Sequence, residues 1–298
     1  MRLGALVLQE QPWSQARATW RQLEELGYDA GYVADHLTHA TVAGRWWADG
    51  WTTLAAAAGV TERIMLGTLV ASSALRSPAV MARTAATLQD VSGGRFVLGI
   101  GAGVPGDALA DRGELVDAAM LWERYSETVS AVRALWLGSS AWAGRQVAFE
   151  GVEPAPFAPG QLAPKLVLAA GGPRGRDLVA RQGDGWITYG GPALAGLAPD
   201  AWWDAIEGQS RQVTHSCERI MRDPTGLHRS VLVGWGSYRP LDSVESMTHA
   251  VARAEAAGFD EVVVYAPVGS RGDRFWADPE VFAAAVEVVR RRERLTPA

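Results

Sequence analysis

The chain is poor in the residues that usually staple or anchor a protein. Cys217 is its only cysteine, so no disulfide can form within the chain and a thiolate zinc centre lacks its ligands. Lys165 is its only lysine against abundant arginine, a bias expected of a GC-rich genome rather than of a function. No stretch approaches the roughly 18 apolar residues of a membrane-spanning helix. The short apolar run Leu3 to Leu8 is too brief for a signal segment and reads as a first strand. A net charge of −5 supplies no field that would select nucleic acid or an anionic membrane. These absences leave a soluble, cytoplasmic protein as the expectation. With 298 residues, 48% hydrophobic and 20% charged, the chain can bury a sizeable core.

What is present is alternation. Strand patterns at Leu3–Leu8, Ala30–Ala34, Ile64–Val70, Phe96–Ile100, Lys165–Ala169, Gly185–Thr188, Ser230–Gly234 and Glu261–Tyr265 are each followed by a helical pattern. Ser14 reads as the N-cap of the first helix and Gly27 as its C′ glycine; Pro78 opens the third helix. Valine-, isoleucine- and leucine-rich strands with little alternation suit a parallel sheet covered on both faces, and eight strand–helix units predict a (β/α)8 TIM-type barrel. An open doubly wound sheet is the rival. Against it, no G-x-G-x-x-G turn follows the first strand, and no helix is expected to open directly from the later GIGAGVPG segment. The chain reads as a single domain over 1–298. Residues 138–163, rich in Gly and Pro, form an irregular excursion with a small hairpin around Val147 to Phe149.

In a barrel the chemistry sits where strands end. His36, in Ala34-Asp35-His36-Leu37-Thr38-His39, has the near-neutral imidazole suited to proton transfer; by position alone, the same residues form a polar cluster at a helix entry more often than a proton-transfer site. A metal pair of His36 and His39 lacks further ligands, so no metal is expected. Small residues follow the third strand (Ala71-Ser72-Ser73-Ala74) and the fourth (Gly101-Ala102-Gly103). They would let a flat ring approach the backbone, or serve only as turns. Ala170-Gly171-Gly172-Pro173 leads into a helix, where backbone N–H groups and Arg174 or Arg176 could hold a phosphate, with Thr188 to Gly191 completing the pocket. Trp13, Trp46, Trp47 and Val104 are the candidates for walls of an apolar substrate pocket. The tryptophan loop could instead be an oligomer contact, and Trp202 and Trp203 read as packing residues.

Three segments then carry a resemblance. ELGYDAGYVADHL, TERIMLGTLVASSALRSPAVMARTAATLQDVSGGRFVLGIGAG and PKLVLAAGGPRGRDLVARQGDGWITYG resemble the luciferase-like monooxygenase family in order and spacing, and GFDEVVVYAP fits its last strand. The resemblance implies a bacterial-luciferase-like barrel binding coenzyme F420, or FMN in the alternative, at the strand ends, and acting as an oxidoreductase. His36 would be the proton carrier, with Asp35 near the cofactor. A bulge with a non-prolyl cis peptide near Leu69, Val70 and Ala71, with Ser72 close by, would back the ring. Ala102–Gly103 and Ala170–Gly172 would hold linker and phosphate, and Thr188 would join them. The family's F420-dependent sugar-phosphate dehydrogenases carry a glutamate just after the fourth-strand glycines, where this chain has Val104; a phosphorylated sugar is therefore not the expected substrate. A small apolar or heterocyclic metabolite with an activated C=C or C=N bond is expected instead, in a homodimer. A partner flavin reductase is expected only if FMN is used with O2.

Overall fold

The computed structural model describes residues 1–37, 44, 46–153, 157, 159–267, 272, 273 and 275–295. Thr38, His39 and Arg45 lie outside the described residues. In chain order the elements are β1 (Arg2–Leu6), α1 (Trp13–Leu26), β2 (Ala30–Val33), α2 (Gly50–Ala58), β3 (Met65–Thr68), β4 (Ala71–Ser72), α3 (Pro78–Val91), β5 (Phe96–Gly101), α4 (Pro105–Arg112), α5 (Ala118–Trp136), β6 (Trp142–Ala143), β7 (Ala148–Phe149), β8 (Lys165–Ala169), α6 (Pro173–Gln182), β9 (Gly185–Thr188), α7 (Pro199–Glu218), β10 (His228–Leu232), α8 (Val244–Ala256), β11 (Glu261–Tyr265) and α9 (Pro279–Leu295). Contacts divide the chain into two compact units, one of Met1–Leu8, Arg21–Tyr32 and Val167–Ala298, the other of Gln9–Trp20 and Val33–Leu166.

In the first unit six strands run parallel in the order β2-β1-β11-β10-β9-β8. Their residues are buried almost throughout, as the lack of alternation requires. Trp186 stacks on Phe259 at 5.5 Å, and Tyr28 on Phe282 at 4.6 Å. Near the strand starts, the buried Glu261 carboxylate accepts from Tyr32 Oη (2.9 Å) and Ser230 Oγ (2.6 Å). That pairing satisfies an acid which would otherwise be costly to bury. Gly27 ends α1 with φ +93°, the left-handed conformation a C′ glycine permits. Ser14 is not the cap expected for that helix: α1 begins at Trp13, and the Pro12 carbonyl accepts from Gln15 and Ala16 N–H.

In the second unit β5 pairs in parallel with both β3 and β4. Gly67 faces Val97 and Ala71 faces Ile100, so four steps along the first chain match three along the second. One extra residue is therefore accommodated between β3 and β4, which defines a β-bulge. The Leu69–Val70 peptide inside it is cis, where the family resemblance placed such a bond. Thr68 Oγ1 donates to Gly99 O (2.7 Å) and accepts from Gly99 N (3.1 Å), locking the bulge to β5. A Cβ on Gly99 would collide with the Thr68 carbonyl, so only glycine fits there. The expected hairpin is β6–β7, held by the Glu127 carboxylate, which accepts from the N–H groups of Arg145, Gln146 and Val147 at 2.9 Å each.

One expectation fails. A helix, α4, does open directly from the glycine segment. Its N-cap is Val104, which has no side-chain oxygen, so the usual capping signature is absent. Pro105 at the first helical position and the left-handed Gly113 after the last delimit it instead.

Candidate active site

His36 follows β2 and meets α4, the helix after β5. Its Nδ1 lies 2.7 Å from Oδ2 of Asp107, and the other carboxylate oxygen of Asp107 accepts from Leu37 N at 3.1 Å. The Asp107 side chain is 0% exposed and that of His36 26% exposed, so the pair runs from the interior to the surface. Trp47 Nε1 donates to the His36 carbonyl at 2.7 Å, fixing the backbone as well as the ring. Asp107 is the third residue of α4, where the helix dipole favours a carboxylate. The sequence reading missed it, because it rested on the helix that was not foreseen. Pro105 followed by an acid two residues later was the available signal.

Asp35 is placed differently from its neighbour. It is buried, and its carboxylate accepts from Ser72 N (3.2 Å), Trp51 Nε1 (3.2 Å) and the Arg76 guanidinium (3.0–3.2 Å). Arg76 also donates to Asp49 at 2.6 Å and lies 5.1 Å over the Trp51 ring. Partial burial works against the Asp49 carboxylate, but hydrogen bonds from Thr52 and the Arg76 pair carry its pKa below the ordinary value. Asp35 thus ties the end of β2 to the far side of the bulge, and Leu69 N donates to Val33 O at 2.8 Å in the same seam.

Around the bulge, Leu69 and Val70 are half-exposed, as are Ala102 and Gly103, whereas Ala71 and Ser72 are buried. Gly103 has φ +80°, and a Cβ there would meet Ser72 Oγ and, at 2.8 Å, Ala74 Cβ. The buried Ser72 Oγ has no hydrogen-bond partner among the described residues. Buried hydroxyls are normally paired, so this one marks the cradle as built for a further group. Half-exposed backbone at Leu69, Val70, Ala102 and Gly103 fits one face of a flat ring. Val104, Trp46 and Trp13 are exposed. Trp47 differs, its indole N–H being committed to His36.

The remaining candidates belong to the other unit. Gly171 and Gly172 are exposed before α6, whose N-cap Gly172 makes no side-chain bond. A Cβ at either meets nothing within 4 Å, so their value is open backbone N–H rather than close packing. Arg176 is buried and folds back onto the Gly171 carbonyl; burial lowers its pKa. Arg174 is exposed. Ala170 O accepts from Trp186 Nε1 at 2.8 Å. Thr188 Oγ1 donates to Gln209 Oε1 (2.8 Å) and accepts from Gly190 N (3.0 Å), so its hydroxyl proton is already committed.

A family model described as luciferase-like monooxygenase matches residues 1–215. The chain therefore belongs to the luciferase-like monooxygenase family. An uncharacterised protein of Mycobacterium tuberculosis is 38% identical over 143 residues, 47% of this chain and 49% of that protein. An F420-dependent glucose-6-phosphate dehydrogenase of Intrasporangium calvum is 34% identical over 211 residues, 63% of this chain and 57% of that enzyme. The alignments span about half the length of the curated relatives. A solved F420-dependent secondary alcohol dehydrogenase, holding an F420–acetone adduct, superposes with a TM-score of 0.77 at 18% identity, covering 97% of this chain and 98% of that one. At that identity the likeness is one of fold, the (β/α)8 TIM-type barrel expected from the sequence.

Proposed function

We propose that this protein is an F420-dependent oxidoreductase that moves a hydride between the deazaflavin and a small apolar or heterocyclic metabolite, reducing an activated C=C or C=N bond or catalysing the reverse. The observation that carries the reading is the His36–Asp107 pair standing on the same strand end that Asp35 ties to the Leu69–Val70 bulge. Leu69, Val70, Ala102 and Gly103 would hold the ring and its linker. The cofactor supplies the hydride-carrying carbon; this chain supplies binding, orientation and the proton. His36 gives or takes that proton at Nε2, the ring nitrogen opposite the Asp107 contact. The exposed Val104 and Trp46 favour an apolar substrate over a phosphorylated one. A homodimer is part of this proposal, with no further protein partner. FMN is the second reading, and it would add a flavin reductase and O2.

The test is turnover of F420 against a panel of enones, imines and the corresponding saturated compounds, read by the visible absorbance of the oxidised deazaflavin. His36→Ala is expected to lower kcat by about 10²–10⁴ while leaving cofactor affinity nearly intact. Unchanged turnover in that variant would remove His36 from the chemistry.

A further inference from the structure

We infer that Asp107 is a positioning residue that holds the proton of His36 on Nδ1 and so presents Nε2 as the proton-accepting atom, an inference that rests on the reading of His36 as the proton carrier. An ionised carboxylate accepts hydrogen bonds and cannot donate them, so opposite it the 2.7 Å contact is made by an N–H on Nδ1. In the neutral imidazole the lone pair is then on Nε2. The second oxygen of Asp107 accepts from Leu37 N at 3.1 Å, so one carboxylate grips two consecutive residues and fixes ring and backbone together. Trp47 completes the clamp through the His36 carbonyl at 2.7 Å.

The acid is fully buried and stands in the first turn of an eight-residue helix whose start is set by Pro105. Such a carboxylate resists reorientation, and the low dielectric around it strengthens its hold on the ring. It also stabilises the imidazolium once Nε2 has taken a proton, the part a buried acid plays behind a catalytic histidine. The carboxylate enters from α4 and is buried rather than presented to substrate.

Long-range 1H–15N NMR on cofactor-free protein labelled at its histidines, at a pH above the imidazole range, reads the tautomer directly. The His36 signal is assigned by its loss in His36→Gln. The inference predicts a protonated Nδ1 and an Nε2 that carries no proton in the wild type. Asp107→Asn, whose amide can also donate, is expected to move population to the Nε2–H form and to lower kcat by about 10²–10⁴ with little change in KM; Asp107→Glu should recover part of the loss. A wild-type ring protonated on Nε2, or an Asp107→Asn variant with unchanged tautomer and kcat, would overturn it. Should Asp107→Asn fail to fold, the wild-type spectrum alone decides. Because that spectrum is read without cofactor, a protein that never turns over F420 refutes the proposed function separately from this inference.

Discussion

Asp35 and His36 are neighbours in the chain with separate tasks. His36 reaches the surface with its ring oriented by a buried acid, whereas Asp35 is enclosed by three donors from α2, the bulge and the Arg76 side chain. Sequence reading placed both beside a cofactor because both follow the second strand. It could not separate them, since which carboxylate is already spoken for depends on Trp51, Ser72 and Arg76 arriving from other elements. Removing Asp35 leaves the Ser72 N–H and the Trp51 indole N–H without an acceptor in a buried seam. Asp35→Ala is therefore expected to lower the unfolding free energy by about 1–3 kcal/mol. Denaturant titration measures it, and a change within about 0.5 kcal/mol, typical of surface substitutions, would contradict the bracing role.

At the scale of elements, strand positions were legible because long apolar runs in a parallel sheet leave little ambiguity: Phe96–Gly101 and Glu261–Tyr265 fall within a residue of expectation. The third strand was read as one piece to Val70, yet it breaks into β3 and β4 around a bulge that only the family resemblance announced. Alternation of hydrophobicity carries no mark for one extra residue. The helix α4 was missed for a related reason: eight residues behind a valine N-cap show no capping side chain and no long period, leaving Pro105, Asp107 and Gly113 as its marks. The positions where a side chain would intrude are a sharper clue to the site than periodicity. Gly103 is at once left-handed and pressed against Ser72 and Ala74. Gly103→Ala should therefore destabilise by about 1–3 kcal/mol and weaken cofactor binding. A variant with wild-type melting and wild-type affinity would show that the cradle at Ser72 is not tightly built.

For the whole molecule, family and fold class followed from the ordered motifs, and no helix among the described residues is long and apolar enough to cross a membrane. Substrate choice was the least legible property, because the composition of a loop, such as the one carrying Trp46, does not report its shape. The most direct test of the account is an equilibrium titration of the cofactor-free protein with oxidised F420 and, separately, with FMN, followed by quenching of cofactor fluorescence. Saturable binding of F420 at micromolar concentration, with FMN markedly weaker, is the predicted result. Tighter binding of FMN, or binding of neither, would contradict it.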